Sequence, residues 1–422
     1  MRIRDIFLAF SAIVLGACAS APPPAAPAPI CPAAPAPSAS AAPAVVAAPA
    51  VEKLAPDAAF LRLFTSPTVD PAWFAASFLA EVPAKKVQSH LETMKKELGE
   101  PKKVEKKGDG YRIVLAKGSV PGRIGLDEQG RIVHLWLGEP ELSQVPPIAE
   151  TMARFRELPG KLSVIVTTDG KSVAELDPDA SLAVGSSFKL AVLLALRERI
   201  DAKKAAWPQI VKLEPRRKML FGGALRYWPD GAQLTVETLA TLMISESDNT
   251  ATDVLIELVG RAPIEKLAPG NAPFLMTRDA TLLKAKGNEE LLGRWRKADE
   301  AARRLMQGEL EKAPLPSIDA FPDTPTALDV EWMFSVRRLC DLAGRTKDLP
   351  LTRVSPGLAT RKDWDLVAYK GGSEPGVRNY TTWVEKGGKK HCVSATWNHD
   401  RDLDEKRLDV LYRALLSALH EQ

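Results

Sequence analysis

Apolar positions between residues 56 and 141 change along the chain from helical spacing to strand-like spacing. A helical period runs through the segments DAAFLRLF, PAWFAASFLA and AKKVQSHLETMKKELG, and Gly99 ends the last of them. Strand-like segments follow, with YRIVLA after the turn KGDG and RIVHLWL after the turn DEQG. This order predicts a small α+β domain over residues 56–141. Its two histidines, His90 and His134, are isolated in the sequence and indicate no catalytic group.

A second pattern begins near residue 146. A helix is predicted around IAETMARFREL, and a strand pair, LSVIVTTD and SVAELD, is joined by the turn Gly170-Lys171. The next segment, AVGSSFKLAV, opens a run from Phe188 to Leu196 that is apolar everywhere except at Lys189. Such a run predicts a helix that is buried nearly all round and lies at the centre of its domain.

The lysine within this run needs a partner, because burial disfavours its charge and lowers its pKa. Ser186 lies three residues before Lys189, which places both side chains on one helical face, whereas Ser187 points elsewhere. Ser186 also falls in the first turn, where free backbone N–H groups favour developing negative charge. We therefore interpret the pair as a nucleophile with its general base. The alternative is that Ser186 caps the helix and the Lys189 ammonium reaches solvent.

Two further polar motifs follow along the chain. In LMISESDNTATD, the run Ser247-Asp248-Asn249 by itself indicates only a turn or a helix cap. In WDLVAYKGGSEPG, a strand ends at Lys370, and two glycines and Ser373 follow it. Glycines at such a position allow a ligand to approach backbone N–H groups closely. The three motifs in this order, rather than any one of them, indicate a catalytic site.

The elements SSFK, SDN and KGG resemble the S-x-x-K, S-D-N and K-[T/S]-G motifs of the serine β-lactamase and penicillin-binding protein superfamily. The resemblance covers residues 146–422, including the hairpin around EKGGKK and the last helix DEKRLDVLYRALLSALH. The segments LRYWPDG, MISESDNTATD and YKGGSEPGVRN are similar to a two-domain branch that includes mycobacterial lipoproteins and a protein of the clavulanate gene cluster. The implied fold class is α+β. A small α+β domain of cystatin-like or steroid-isomerase-like type precedes a β-lactamase-like domain, in which helices flank an antiparallel sheet and form an α-helical subdomain.

The resemblance implies an acyl-enzyme mechanism. Ser186 is expected to be the acylated nucleophile, Lys189 its general base, and Ser247 the group that passes a proton to the leaving group. A β-lactam, an ester or a peptidoglycan-like amide is the expected small-molecule substrate. Two alternatives stay open: a D,D-peptidase that β-lactams merely acylate, and an envelope binding protein that keeps the fold without turnover.

The same resemblance implies a substrate-binding role for Asn249 on an acyl side-chain amide and for Lys370 on a carboxylate. The backbone N–H groups of the nucleophile and of Ser373 are expected to form an oxyanion hole. Gly371 departs from the motif, because it lacks the hydroxyl that the motif places there as a donor to a substrate carboxylate. The hydroxyl of Ser373 is one candidate to replace that donor. The usual E-x-x-L-N context of a deacylating glutamate is also missing, and Asp279 in D-x-x-L-L is the nearest candidate. Slow deacylation is therefore expected.

Residues 1–18 resemble a lipoprotein signal: MRIRD is basic, IFLAFSAIVLGA is apolar but too short to span a membrane, and L-G-A-C ends at Cys18. Cleavage before Cys18 and lipidation of its thiol are implied; an ordinary signal peptide with an incidental cysteine is the alternative. Residues 19–55 form a Pro/Ala-rich linker of polyproline II type. We expect folded domains in the periplasm, tethered to the envelope, with Ala19 favouring the outer membrane.

Composition excludes several other classes of function. The net charge of +4 is spread along the chain, so no nucleic-acid surface is expected. Neither G-x-S-x-G nor H-E-x-x-H occurs, so we expect no Ser-His-Asp triad, no metal and no cofactor. The oligomeric state is left open. Cys340 and Cys392 allow one disulfide in the catalytic domain, but two buried free thiols are the expectation.

Overall fold

The computed structural model describes residues 53–138 and 140–422. The expected export signal, the cysteine proposed for lipidation and most of the linker lie outside these described residues. Within them the chain forms two α+β parts, one ending at Leu142 and one beginning at Ile148, which confirms the predicted fold class. No helix in the described ranges is both long enough and apolar enough to cross a membrane.

The first part packs helices against an antiparallel sheet with the strand order β1-β2-β3-β4, and β5 pairs with β3. Its elements are α1 (Pro56–Thr65), α2 (Ala76–Glu81), α3 (Ala84–Leu98), β1 (Pro101–Lys107), β2 (Gly110–Leu115), β3 (Gly118–Leu126), β4 (Ile132–Leu137) and β5 (Glu141–Leu142). Phe60 and Phe64 of α1, Leu91 and Leu98 of α3, and Ile113 of β2 are buried in its core. The apolar stripes of the helices therefore cover one face of the sheet.

The hydrophobic pattern predicts β2 and β4 but not β1 or β3. Strand β1 is an edge strand with four lysines, which carries little apolar burial. Strand β3 contains Pro121 and three glycines, which interrupt the alternation expected of a strand. Gly122 is needed there because a Cβ at this position would lie 2.8 Å from the Phe60 ring. Both strands form because their hairpin neighbours supply the backbone hydrogen bonds.

The second part is built on a five-stranded antiparallel sheet with the order β12-β13-β14-β6-β7, so β12 is an edge strand. Its strands are β6 (Lys161–Thr168), β7 (Lys171–Leu176), β12 (Leu366–Glu374), β13 (Val377–Lys386) and β14 (Lys389–Asn398). Helices α4 (Ile148–Phe155) and α13 (Glu405–His420) pack together against one face. Helix α12 (Val336–Thr346) lies between the sheet and α5 (Lys189–Asp201).

The helical part of this region surrounds α5, whose residues from Lys189 to Leu196 are all buried, as the apolar run predicts. The remaining elements are β8 (Leu182–Ala183), β9 (Ile210–Lys212), β10 (Gln233–Thr235), α6 (Val236–Ser245), α7 (Asn249–Val259), α8 (Arg261–Leu267), α9 (Thr277–Lys284), α10 (Glu289–Lys297), α11 (Glu300–Lys312) and β11 (Met333–Phe334). Strand β8 pairs with β11, and the chain then turns directly into α5. The start of α5 therefore lies between the sheet and the helices.

The expectation of two free thiols is wrong, because Cys340 and Cys392 form a disulfide. Cys340 lies on α12 and Cys392 on β14, and packing of that helix on the sheet brings their Cα atoms to 5.9 Å. This separation falls in the range that a disulfide requires. The bond therefore links the five-stranded sheet to the helix beside α5.

A polar contact joins the two parts of the chain. Thr93 on α3 donates a 2.8 Å hydrogen bond to Asp404, which caps α13. Glu97, also on α3, is buried and forms ion pairs with Arg154 of α4 and with Arg407 of α13. Because Glu97 is only 1% exposed, losing either arginine would leave a poorly compensated buried charge. The first part is thus attached to α4 and α13, the helices that cover one face of the sheet.

Candidate active site

A short turn presents Ser186 at the edge of the five-stranded sheet. Residues Gly185–Phe188 form one 3-10 turn that continues into α5. The turn is held because the Val184 N–H donates to the Trp332 carbonyl at 3.1 Å and the Phe188 ring stacks on Trp332. Ser186 remains partly exposed, whereas both residues that follow it are buried. Its hydroxyl is therefore the one that solvent and a substrate can reach within this turn.

Lys189 lies directly behind this turn and is completely buried. Its Nζ donates to the Ser247 carbonyl at 2.7 Å, to Ser247 Oγ at 3.1 Å and to Asn249 Oδ1 at 2.7 Å. Burial lowers the pKa of Lys189 to about 7, although the nearby charges of Asp248 and Asp253 oppose the shift. A lysine with that pKa can exist as a neutral amine near pH 7.

Ser247 adopts a strained backbone conformation between two lysines. Its φ of 58° lies in the left-handed region, which non-glycine residues rarely occupy. The conformation is held by Asp248, which caps α7 through Ala251 N–H at 2.8 Å and accepts the Leu225 N–H at 2.9 Å. As a result Ser247 Oγ accepts from the amino groups of Lys189 and Lys370, each at 3.1 Å.

Lys370 reaches this serine from the edge strand β12. It is 3% exposed, and it also donates to the Gly371 carbonyl at 2.5 Å. Burial, with a smaller contribution from the charge of Lys189, holds the pKa of Lys370 well below its usual range. Two buried amines therefore face one hydroxyl, an arrangement suited to passing a proton to or from Ser247.

Gly372 allows the edge strand to lie against the turn that carries Ser186. A Cβ at position 372 would overlap the Val184 carbonyl and lie 2.6 Å from the Ser186 nitrogen. A Cβ at Gly185 would lie 3.0 Å from the Ser373 nitrogen. The backbone nitrogens of Ser186 and Ser373 consequently lie on two adjacent segments, where their N–H groups can converge on one oxygen.

Asn249 closes the other side of the cluster. Its Oδ1 accepts from Lys189, while its Nδ2 donates to the Phe221 carbonyl at 3.2 Å. Its backbone N–H donates to the Gly222 carbonyl at 2.9 Å. These bonds orient the amide at the start of α7. The structure thus brings together the side chains of Lys189, Ser247, Asn249 and Lys370, with Ser186 and Ser373 on the adjoining backbone segments.

Asp279 lies apart from this cluster. Its Oδ2 accepts the Met276 N–H at 2.9 Å and contacts Arg261 at 3.1 Å, so the buried carboxylate caps α9 and forms an ion pair. Burial raises its pKa, and Arg261 opposes that shift. In the described part of the chain, no hydrogen bond joins Asp279 to Lys189 or Ser247. The nearest sequence candidate for a deacylating base is therefore occupied by structural contacts.

Sequence reasoning missed a buried ionic cluster next to Ser373. Lys284 at the end of α9 pairs with Glu331, and with Glu374 at 2.8 Å. Burial raises the pKa of Glu331 well above its ordinary value. The three residues are remote in sequence, so no local pattern could predict their contact. They join α9 to the end of β12, immediately after Ser373.

Tyr369, which sequence analysis also passed over, lies two residues before Gly371 on the same face of β12. A side chain at position 371 would overlap the Tyr369 hydroxyl. The clue available in the sequence was a large side chain two residues before an unexpected glycine. No group of three potential metal-ligating side chains occurs within residues 53–138 and 140–422.

One part of this chain matches a known protein family. Residues 147–281 match the Beta-lactamase enzyme family, and this range includes Ser186, Lys189 and the Ser247-Asp248-Asn249 run. Beta-lactamase VEB-1 from Pseudomonas aeruginosa is 26% identical over 129 residues, which is 30% of this chain and 41% of that relative. The two matches confirm the expected resemblance to the serine β-lactamase and penicillin-binding protein superfamily.

Several solved structures are also similar. A β-lactamase from Sphaerobacter thermophilus is 19% identical to this chain, with a TM-score of 0.45. The match covers 64% of this chain and 94% of the other chain. PBP-A is 14% identical to this chain, also with a TM-score of 0.45, and the match covers 66% of this chain and 100% of the PBP-A chain. A β-lactamase from Chitinophaga pinensis is 15% identical, covers 64% and 98% respectively, and has a TM-score of 0.45.

Proposed function

We propose that this protein, whose residues 147–281 match the Beta-lactamase enzyme family, is a serine acyl hydrolase that forms an acyl-enzyme on Ser186. β-Lactams or related esters and amides are the proposed substrates. The observation that carries the proposal is the fully buried Lys189, three residues after a partly exposed serine, whose amino group contacts Ser247 and has a pKa of about 7. The proposed mechanism uses no cofactor.

In the acylation step, Ser186 Oγ attacks the acyl carbon while neutral Lys189 accepts the hydroxyl proton. A bond forms between Oγ and the carbon, and the carbonyl electron pair moves to oxygen. The backbone N–H groups of Ser186 and Ser373 receive that developing charge, and one such donor contributes about 3 to 4 kcal/mol in a comparable enzyme. Since both donors belong to the backbone, they are held in place before the substrate arrives.

When the tetrahedral intermediate collapses, the bond to the leaving nitrogen or oxygen breaks and that atom needs a proton. Ser247 is suited to supply it, because its hydroxyl lies 3.1 Å from Lys189 Nζ, which holds the proton taken from Ser186. Lys370 lies equally close on the other side of the hydroxyl and favours its temporary negative charge. Lys370 also supplies positive potential for a substrate carboxylate, and Asn249 is proposed to bind an acyl side-chain amide.

Deacylation is proposed to be slower than acylation. Across the described residues, no Asp or Glu hydrogen-bonds to Lys189 or Ser247, and Asp279 is occupied by Arg261 and the α9 backbone. Water attack must then rely on Lys189 or another weak base. The lack of a carboxylate hydrogen-bonded to Lys189 or Ser247 also favours a second candidate function, a D,D-peptidase-like penicillin-binding protein that β-lactams acylate.

Intact-protein mass measured over time tests the proposal. Purified protein is mixed with a chromogenic cephalosporin or an activated ester, and product release is followed in parallel at enzyme concentrations comparable to substrate. We expect an adduct on Ser186 and a burst followed by a slow steady rate. Absence of both adduct and turnover with every probe would support the alternative of a non-catalytic binding protein.

We also propose that the protein is a lipoprotein of the bacterial envelope, with lipid on Cys18 and its folded domains in the periplasm. The support is the sequence L-G-A-C after a short apolar segment. A Cys18→Ser variant should remain an uncleaved precursor and lack lipid mass. Normal processing of that variant at another site would contradict the proposal.

A further inference from the structure

The position of Tyr369 explains why Gly371 replaces the hydroxyl residue of K-[T/S]-G. A Cβ built on Gly371 would overlap Oη of Tyr369 and lie 2.9 Å from its Cζ. A threonine or serine hydroxyl at position 371 would extend from that same Cβ. The phenol oxygen of Tyr369 thus occupies the space in which the motif places its hydroxyl group.

The Tyr369 ring is held in this orientation by backbone on two sides. Tyr369 and Gly371 lie on the same face of β12, opposite Thr382 and Tyr380 of β13 in the antiparallel register. The ring also packs over Gly357, where a Cβ would lie 2.6 Å from the ring carbon Cγ. Two glycines therefore make room for one phenol. A side chain confined in this way loses little further entropy when its hydroxyl binds a ligand.

The Tyr369 hydroxyl is available as a donor. Among residues 53–138 and 140–422 it has no hydrogen-bond partner, and part of the residue remains exposed although its ring is largely buried. Burial of its ring raises the pKa of Tyr369 to about 12; the charge of Arg378 opposes this shift and that of Asp409 adds to it. The phenol is therefore protonated near neutral pH.

One cationic side chain, that of Arg378, lies on the Tyr369 face of the sheet, whereas Lys370 points to the opposite face. Lys370 is the next residue along β12, and Arg378 projects from the neighbouring strand at the position opposite Ser373. Arg378 is oriented by a 2.7 Å hydrogen bond to Tyr380 Oη and lies 3.5 Å from Glu405. The Arg378 guanidinium thus lies on the same face of the sheet as the free phenol, and a hydrogen bond to an ionised ligand is stronger than one to a neutral ligand.

We infer that the Tyr369 hydroxyl donates a hydrogen bond to the carboxylate of the substrate, replacing the donor that Gly371 removes. The inference rests on the proposed function, and it assigns a new residue of this chain to the substrate carboxylate that Lys370 is already proposed to attract. Tyr369 is then a specificity-determining residue that touches the substrate. The Tyr369 ring leaves room only for glycine at position 371. The hydroxyl donor that the motif has at position 371 is therefore supplied by the residue two positions earlier on the strand.

The test measures binding separately from acylation. In a Ser186→Ala background, calorimetry gives the Kd of benzylpenicillin and of its methyl ester, which lacks the charged carboxylate. Adding Tyr369→Phe removes one oxygen and keeps the ring. The Kd of the acid is expected to rise about tenfold or more, in keeping with a hydrogen bond to a charged group, and the Kd of the ester much less.

A relocation of the hydroxyl provides the matched control. Gly371→Thr alone is expected to disturb the site, because the new Cβ overlaps Tyr369. Tyr369→Ala makes room for it, so the double variant Tyr369→Ala/Gly371→Thr should recover a preference for the acid over the ester that Tyr369→Ala alone lacks. Recovery indicates that the hydroxyl, and not the aromatic ring, determines carboxylate binding.

Three results would overturn the inference: unchanged acid binding in Tyr369→Phe, an equal loss for acid and ester, or no detectable binding of the acid to the Ser186→Ala protein. The first two would reduce Tyr369 to a packing role. Adduct formation on intact Ser186 is measured independently. If the protein discriminates between acid and ester but forms no adduct, the proposed function is contradicted and this inference stands. If it forms an adduct but does not discriminate, this inference is contradicted and the proposed function stands.

Discussion

Ser187 Oγ donates a 2.5 Å hydrogen bond to Oδ1 of Asn379 on the interior strand β13. Asn379 in turn donates from its Nδ2 to the Ala395 carbonyl at 3.1 Å and to Thr396 Oγ1 at 2.8 Å. Ser187 is fully buried, whereas Ser186 beside it is partly exposed. We therefore assign the two adjacent serines different tasks: Ser187 anchors the turn to the sheet, and the accessible Ser186 is the proposed nucleophile.

Exchanging each serine for alanine should separate these tasks. Ser186→Ala is expected to abolish labelling by fluorescent penicillin, because the attacking oxygen is gone. Ser187→Ala should retain most of the labelling but lose about 1 kcal/mol of unfolding free energy, since Asn379 Oδ1 keeps its bond from Thr381. Gel labelling and urea unfolding of both variants provide the readout. Labelling that survives Ser186→Ala would reject the assignment of the nucleophile.

The pKa of Lys189 predicts how acylation depends on pH. Since burial lowers this pKa to about 7 and only the neutral amine accepts a proton, the acylation rate should rise with pH through about 7 and then level off. Quenched labelling measured over about one pH unit on either side of the pKa would record the curve.

Lys189→Arg is the matched control for this profile. Arginine keeps the positive charge but remains protonated at all accessible pH values, so this variant should not acylate at a measurable rate. A flat pH profile in the wild-type protein, or near-normal acylation by the arginine variant, would show that another group accepts the proton.

Ser247 allows a test that distinguishes chemistry from backbone strain. Both Ser247→Ala and Ser247→Gly remove the hydroxyl between the two lysines, so both should acylate much more slowly than the wild-type protein. Because φ at this position is 58°, glycine should be more stable than alanine by about 1 kcal/mol. Stopped-flow acylation and chemical unfolding measure the two effects. Normal acylation in the glycine variant would exclude a proton-transfer role for Ser247.

The Cys340–Cys392 disulfide should contribute to stability rather than to chemistry. The bond closes a separation of 52 residues, and its loss by Cys340→Ser/Cys392→Ser is expected to cost about 2 to 4 kcal/mol of unfolding free energy. Thermal unfolding with and without reductant would measure this loss of stability. The double variant is the control, because reductant should not change its unfolding temperature. Equal unfolding temperatures for wild-type protein in both conditions would contradict the expectation.

The sequence was sufficient for features that depend on local backbone geometry. The apolar run around Lys189 predicted a buried central helix, and the spacing of three residues related Ser186 to Lys189. The order of the SSFK, SDN and KGG elements indicated both the α+β fold and the superfamily. The predictions of the buried helix and of the fold class are confirmed because helical and strand periods are properties of short segments, which hold whatever the rest of the chain does. The pairing of Ser186 with Lys189 stays a prediction.

Other features were decided only by tertiary packing. Cys340 and Cys392 meet because α12 packs on β14, and β1 and β3 become strands because their neighbours pair with them despite lysines, proline and glycines. The pKa of Lys189 depends on how completely the surrounding helices exclude water, and the role of Gly371 depends on where the Tyr369 ring lies. Burial, charge interaction and steric overlap are set by groups far apart in the chain, so no short segment of the sequence contains them.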